Sequence, residues 1–313
     1  MKRIHLKSRT GGRHCEPLKK AWQSHYVLMP YNISIMESII LEKLILSALE
    51  EDKGLSGDIT SNSLIDKEHK SKFQLVVNQG AVLAGFNIFK KTFNLVDKNV
   101  LIETNFKDGD CIEKGDILCN ISGNTLTVLF AERTSLNYLS HLSGIATVTH
   151  ELVELIKHTN AILLDTRKTT PNLRLFEKAA VIAGGAKNHR FNLSEMILIK
   201  DNHIVVAGGV KNAILSERKS YKDKYKIEVE INTFDELKEA VLCKPDIIMF
   251  DNWSVKDLKA GLKLIPEGIL TEVSGQISKE NIKDYAECGV NYISTSYMIK
   301  NSKWVDFSLD AIC

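Results

Sequence analysis

The sequence predicts an α/β protein in two parts. The first half reads as helices packed on a small antiparallel sheet, the second as parallel strands alternating with helices. Three observations carry this. Short apolar runs recur through the second half, each ending in polar residues. Segments with helix-capping signals lie between them. The first half instead breaks its short strands with Gly109, Gly115 and Gly123, beside amphipathic helical stretches.

In chain order, MESIILEKLILSALEED from Met36 has apolar residues at helical spacing, until Gly54 and Gly57 end it. GDITSNSLI follows, with Asp58, Thr60 and Ser61 expected in a loop. KFQLVVNQGAVLAG reads as two strands around Gly80, and GFNIFKKTFNLV as an amphipathic helix. KDGDCIEKGDIL locally resembles the turn-strand repeats of lipoyl and biotin carriers. It lacks their hairpin lysine, so it is read as turns in a small sheet. AERTSLNYLSHLSGIATVTHELVELIKH is a long helix, with an interruption expected near Gly144.

Six strand-like runs then follow: AILLD, MILIK, KIEVE, DIIMF, GILTEV and NYIS. Thr233 can cap FDELKEAVL, and Ser254 with Asp257 forms a capping pattern before LKAGLKLI. Ser278 is expected to open KENIKDYAEC, which Gly289 closes. Strands alternating with helices imply right-handed crossovers and a parallel sheet. Six runs do not secure a closed eight-fold barrel.

Composition narrows the function classes. The formal net charge is +2, with 44% hydrophobic and 26% charged residues, so no global basic character points to a general nucleic-acid binder. No apolar run approaches the ~18 residues of a membrane span. Six cysteines are scattered without a C-x-x-C pair, which suggests a reducing, cytoplasmic setting. Residues 1–35 are basic and lack the apolar core of a secretory signal. They are expected to form a disordered extension, or to precede a true start at Met29 or Met36.

Between Leu163 and His203 the chain gathers Arg167, Lys168, Arg174, Lys178, Lys187, His189, Arg190, Lys200 and His203. Only Asp165, Glu177, Glu195 and Asp201 oppose them. Parallel sheets bind ligands at the carboxyl ends of their strands. Here those ends carry Arg167, Lys168, Lys200, Glu230, Asp251 and Ser274. Arginine gives forked hydrogen bonds to carboxylate or phosphate, while lysine acts more as a point charge. Glu230 and Asp251 suit sugar hydroxyls or a divalent metal on a pyrophosphate. Ser274-Gly275 suits a phosphate. The pattern reads as a pocket for a dicarboxylate, a sugar and a polyphosphate. No P-loop, dinucleotide fingerprint, serine elbow or Cys/His nucleophile pair is present, so electrostatic and positional catalysis is expected.

Three long motifs, DTRKTTPNLR, GGAKNHRFNLS and LIKDNHI, closely resemble those of the quinolinate phosphoribosyltransferases. GDITS, AERTSLNYLSHLSGIAT, EVEI, FDNW, VSG and VDFSLD support the likeness, which runs from Met36 to the C-terminus. The resemblance implies an N-terminal α/β sandwich over 36–142, joined by 302–313, and an incomplete, roughly six-stranded α/β barrel over 143–301. It implies a homodimer, in some members a hexamer, with the N-terminal domain of one subunit covering the barrel site of another.

The implied reaction joins quinolinate to phosphoribosyl pyrophosphate, with magnesium, to give nicotinate mononucleotide, pyrophosphate and carbon dioxide in NAD biosynthesis. Read alone, Arg133 beside Glu132 suggests a surface ion pair; the resemblance has it reach quinolinate across the dimer. Thr166, Arg167, Lys168, His189 and Arg190 would hold the carboxylates and neighbouring phosphate, with Lys200 on phosphate or carboxylate. Glu230 and Asp251 would take ribose hydroxyls or, indirectly, metal-bound pyrophosphate. Ser274, Gly275, Gln276, Thr295 and Ser296 would cradle the 5′-phosphate. Lys168, Lys200, Glu230 and Asp251 are the expected catalytic residues. His203 is expected to support Lys200 or cap the next helix.

Two positions depart from the family pattern. Gln276 and Ser296 stand where many members carry glycine. The second departure leans toward a paralogous, molybdenum-transport-associated phosphoribosyltransferase acting on another ring acid, whereas FDNW and VDFSLD lean back. A remoter alternative is an anion- or RNA-binding protein using the basic N-terminus. The resemblance itself implies neither a nucleic-acid nor a membrane partner.

Overall fold

The computed structural model describes residues 13–14, 35–222 and 224–312, so the extension expected over 1–35 lies almost wholly outside the described residues. The chain divides into two compact units. One runs to Thr147 and takes back Lys303 onward; the other is Val148–Ser302.

The first unit begins with β1 (Arg13–His14), α1 (Ile35–Lys53), α2 (Ile59–Leu64), β2 (Lys70–Val77), β3 (Ala81–Val82) and α3 (Phe86–Val96). It continues with β4 (Leu101–Glu103), β5 (Asp110–Ile112), β6 (Ile117–Asn124) and α4 (Thr125–Ile156), whose last turns belong to the second unit. GDITSNSLI is a short helix, not the expected loop, because the Asp58 side chain accepts the Ser61 N–H at 2.9 Å and caps α2. Nor does α4 break at Gly144. There the missing side chain makes room: a Cβ would meet the Lys303 carbonyl oxygen at 2.2 Å.

The C-terminal strand β13 (Phe307–Ile312) pairs antiparallel with β2, giving a four-stranded sheet of order β13-β2-β6-β4 beside a smaller one of order β1-β5-β3. Strand alternation turns Phe73, Leu75 and Val77 of β2 to one face, where they join Phe86, Phe89 and Phe93 of α3 in a core. Phe89 packs edge-on to Phe93 with ring centres 5.0 Å apart. Cys119 is a free thiol in this core.

The second unit carries β7 (Ile162–Leu164), α5 (Arg174–Ala183), β8 (Ile197–Ile199), α6 (Asp201–Ala207), α7 (Val210–Tyr221), β9 (Ile227–Ile231) and α8 (Phe234–Cys243). Then come β10 (Ile247–Asp251), α9 (Val255–Leu262), β11 (Leu270–Ser274), α10 (Ile282–Ala286), β12 (Tyr292–Ser294) and α11 (Tyr297–Lys300). All six strands pair in parallel, in the order β7-β12-β11-β10-β9-β8. The sheet is an open barrel, and β7 does not pair with β8. Lys187 lies along β7 instead, its N–H donating to Leu163 O at 3.0 Å and its carbonyl accepting the Asp165 N–H at 3.2 Å.

Thr233 caps α8 as expected, in a capping box with Glu236, and Ser254 caps α9 by accepting the Asp257 N–H. Ser278 does not cap α10; the helix starts after Asn281, whose Oδ1 accepts the Ser278 N–H at 2.8 Å.

Candidate active site

In the second unit the strand ends bring the expected polar residues to one edge of the sheet. Asp165, Thr166, Arg167 and Lys168 follow β7, and Lys200 follows β8. Glu230 is on β9, Asp251 ends β10, Ser274 ends β11, and Thr295 and Ser296 follow β12. His189 and Arg190 come from the segment that lies along β7. The cations there are close enough to act on each other. Burial first, and the Arg167 charge second, hold the Arg190 guanidinium below its usual range. Arg167 Nε is buried with no acceptor, a donor left for a ligand. Arg190 Nη1 donates to Met196 O at 3.1 Å, which aims the rest of its fork. Lys168 is exposed, and its N–H donates to Thr166 Oγ1 at 3.0 Å.

Lys200 Nζ donates to Glu230 Oε2. The Lys200 N–H donates to His203 Nδ1 at 3.0 Å, so His203 caps α6 and braces Lys200. Asp251 Oδ2 accepts from the Asn252 side chain at 2.6 Å. The second oxygen of Glu230 and of Asp251 remains for a hydroxyl or a metal-bound water, a donor set that fits magnesium held indirectly.

The proposed phosphate cradle is tightly built. Gly275 has φ +98, and a Cβ there would sit 2.4 Å from Asn252 Oδ1. Gln276 has φ +50, the left-handed region, which explains glycine at this position in the family pattern. Ser274 Oγ donates to Ser294 O at 3.4 Å. The Thr295 hydroxyl, expected on phosphate, instead donates to Ile277 O at 2.8 Å and accepts the Tyr297 N–H at 3.1 Å, while the Thr295 N–H donates to Leu164 O. Of the residues expected in the cradle, the Thr295 side chain is thus committed to the backbone, while Ser274, Gly275, Gln276 and Ser296 remain.

Two other expected residues stand apart. Arg133 lies in the first unit, exposed on α4, and forms no ion pair among the described residues. His189 was expected beside the substrate carboxylates. Its ring is buried and turned down into the barrel, with Nε2 3.1 Å from Glu228 Oε2 and 3.7 Å from Glu272 Oε1.

Several residues of the charged 163–203 stretch turn out to hold the site together and do not face a ligand. Asp165 Oδ1 accepts from Lys178 Nζ at 2.5 Å and from the His189 N–H at 2.8 Å, and Lys178 also donates to His189 O at 2.9 Å. The Asn188 amide, oriented to satisfy both ends, donates to Asp165 Oδ2 at 2.9 Å. Burial pushes the Asp165 carboxyl up to about 6 against the pull of Lys178, and burial lowers the Lys178 ammonium. Arg174 ties the same loops, donating to Thr169 Oγ1 at 3.1 Å and to Phe191 O at 3.1 Å. Lys178 and Arg174 are thus scaffold cations. The E-x-E spacing of Glu228 and Glu230 was the readable signal for a second inward acid, since period-two spacing puts both on one strand face.

Comparison with known proteins places this geometry. Residues 58–143 match the quinolinate phosphoribosyl transferase N-terminal domain, and residues 145–310 match the C-terminal domain. The chain is 40% identical over 275 residues to a probable nicotinate-nucleotide pyrophosphorylase (carboxylating) of Bacillus subtilis, covering 88% of this chain and 94% of that protein. It is 38% identical over 279 residues to a like-named protein of Methanocaldococcus jannaschii, covering 86% and 96%. The solved nicotinate-nucleotide pyrophosphorylase of Francisella tularensis superposes with a TM-score of 0.83 at 36% identity, covering 88% of this chain and 96% of that one. Motifs, domain order and fold agree: the chain belongs to the quinolinate phosphoribosyltransferase family.

Proposed function

We propose that this chain transfers a phosphoribosyl group from phosphoribosyl pyrophosphate to the ring nitrogen of quinolinate. The products are nicotinate mononucleotide, pyrophosphate and carbon dioxide. The observation that carries the reading is that Arg167 and Arg190 lie close enough for their charges to interact, with a buried, unfilled donor on Arg167, at the same edge of the sheet where Lys200 ends β8. Quinolinate has two adjacent carboxylates that such a group can hold.

The residues divide the work. Arg167, Lys168 and Arg190 grip the carboxylates, with Thr166 shaping the loop. The tightest clamp falls on the carboxylate that stays, because gripping the departing one would oppose its loss. Glu230 and Asp251 hold ribose hydroxyls and offset the positive charge that grows on the sugar as its bond to pyrophosphate loosens. Lys200, braced by Glu230 and His203, faces the phosphates. Ser274, Gly275, Gln276 and Ser296 take the 5′-phosphate. Glu230 and Asp251 would hold magnesium indirectly, and the ion would supply charge neutralisation for the leaving pyrophosphate. Once the ring nitrogen is ribosylated, the bond from the adjacent ring carbon to its carboxylate breaks: carbon dioxide leaves, the electron pair stays on that carbon beside the cationic nitrogen, and the carbon takes up a proton from water.

Arg133 is read as completing the site of a partner subunit in a homodimer, or in a hexamer of such dimers; its exposure on α4 supports this. The cytoplasm is the proposed compartment, and among the described residues no helix is long and apolar enough to cross a membrane.

Two measurements test the reading. Protein mixed with quinolinate, phosphoribosyl pyrophosphate and magnesium should yield nicotinate mononucleotide and carbon dioxide in equal amounts; turnover of another ring acid with none of quinolinate would move the chain to the paralogous group. Mixing Arg133→Ala with Arg167→Ala protein should restore about one quarter of wild-type turnover, since half the dimers are hybrids with one intact site each. No restoration would place Arg133 outside the partner's site.

A further inference from the structure

Below the substrate-facing groups, β9 and β11 turn two more acids into the barrel. Glu228 is two residues before Glu230 on the same strand face. Register sets Glu230 opposite Met249, and Met249 opposite Glu272. Across two strands the barrel's stagger amounts to two residues, so Glu228 and Glu272 fall in one interior layer, as residues of alternate strands do in α/β barrels. Both carboxyls are fully buried, and His189 is 6% exposed. Their ligand atoms lie within 4.8 Å of one another. Both oxygens of each acid and His189 Nε2 lack a hydrogen-bond partner of good geometry.

Three acceptor-rich groups closed off from water need a cation or a proton. The tautomer of His189 decides between them. Its Nδ1 accepts the Arg190 N–H at 2.7 Å, so the ring proton sits on Nε2, facing the acids. A metal would need the Nε2 lone pair, which this tautomer does not offer. Two ionised carboxylates here would present oxygen to oxygen. Glu228 and Glu272 are within hydrogen-bonding range of each other, and one proton turns that contact into a bond.

We propose that Glu228 and Glu272 hold one proton between them and receive His189 Nε2–H, and that the three form a positioning unit for Arg190, in place of a metal site or a base acting on substrate. The unit reaches Arg190 through the His189 ring, which is fixed at Nε2 by the acids and at Nδ1 by the Arg190 N–H. The His189 main chain is held separately, its N–H by Asp165 and its carbonyl by Lys178. Other charged or polar groups face the unit from several elements: Arg190, Lys200 and Glu230 act on Glu228, while Tyr292 and Ser294 adjoin Glu272. Ser294 pairs with Leu164 in the neighbouring strand, immediately before Asp165. The side chains of Glu228, Glu272 and His189 are positioning groups and touch no substrate.

The test combines spectroscopy, metal analysis and kinetics; only the kinetic arm rests on the quinolinate reading. In ¹⁵N-histidine-labelled protein, the resonance removed by His189→Asn should report the Nε2–H tautomer. Purified protein should hold no metal ion whose content falls in Glu272→Ala or His189→Asn. Glu272→Ala should raise KM for quinolinate by at least about tenfold with a smaller change in kcat, the mark of a displaced binding group. Glu272→Gln, whose amide N–H replaces the shared proton, should return KM to within about threefold of wild type. An Nδ1–H tautomer, a stoichiometric metal lost with Glu272, or a Gln variant as impaired as the Ala variant would each overturn the proposal. Should Glu272→Ala fail to fold, the tautomer and the Gln variant decide. A protein inactive on quinolinate would defeat the reaction reading, and the tautomer and metal measurements would still judge the unit.

Discussion

Glu228 and Glu230 stand two residues apart on β9, face the same way, and meet opposite conditions. Glu230 is at the strand's end, next to Lys200, with its second oxygen open to a ligand. Glu228 is one layer down, with no cation in contact, facing another acid and an imidazole N–H. The upper layer of the barrel is cationic, partly exposed and arranged for an anion that comes and goes. The lower layer is anionic, closed and permanent. One pleat of a parallel strand, a rise of roughly 6–7 Å, separates groups that do chemistry from groups that hold them still.

The largest effect should come from the upper layer. Arg167→Ala removes both the buried unfilled donor and the guanidinium charge that acts beside Arg190, and turnover should fall by roughly three orders of magnitude. A steady-state assay checks it, and near-normal turnover would remove Arg167 from the site. The scaffold between the layers comes next. Lys178→Met leaves Asp165 buried with its main cation gone, a loss of about 3–5 kcal/mol of stability in denaturant titration. Adding Asp165→Asn should recover part of that; a double variant no more stable than the single would mean that the pair is not the node described.

A smaller effect sharpens the contrast through pH. Burial pushes the proton shared by the Glu228 and Glu272 carboxyls up to about 8, so above about 4.5 the folded pair keeps one proton that the unfolded chain has released. With more protons bound when folded, stability falls as pH rises through that window. Melting temperature should therefore drop between pH 5 and pH 8, and Glu272→Gln should flatten the drop; an identical slope in the variant would show that these acids do not carry it. The smallest effect lies in the cradle. Gln276→Gly relieves a left-handed φ of +50 and should stabilise by about 0.5–1 kcal/mol.

The upper layer was legible in the sequence because apolar runs announce strands, and the first polar residue after each run marks its end. Arg167, Lys200, Glu230, Asp251 and Ser274 were all placed that way, as was the count of six strands. The lower layer was hidden for a physical reason. A glutamate inside an apolar run looks like an outward residue of an amphipathic strand, and only the closure of the barrel makes that face interior. Glu272 in GILTEV gave no sign of its partner on β9. Lys178 and Arg174 read as ligand-binding cations, since charge alone does not tell a guanidinium facing a substrate from one facing a backbone carbonyl. His189 is a related case: its motif fixes its position in the chain, while its ring direction depends on acids about 40 and 80 residues away, contacts that only the tertiary fold makes.

The central claim is that the strand-end cations form a clamp for two carboxylates at once. Equilibrium titration of the protein with quinolinate and with nicotinate, which lacks the second carboxylate, tests it most directly. Quinolinate should bind at least about 30-fold more tightly, the worth of one charge-assisted clamp of about 2 kcal/mol, with the advantage shrinking as salt is raised. Equal affinities for the two acids would contradict the account.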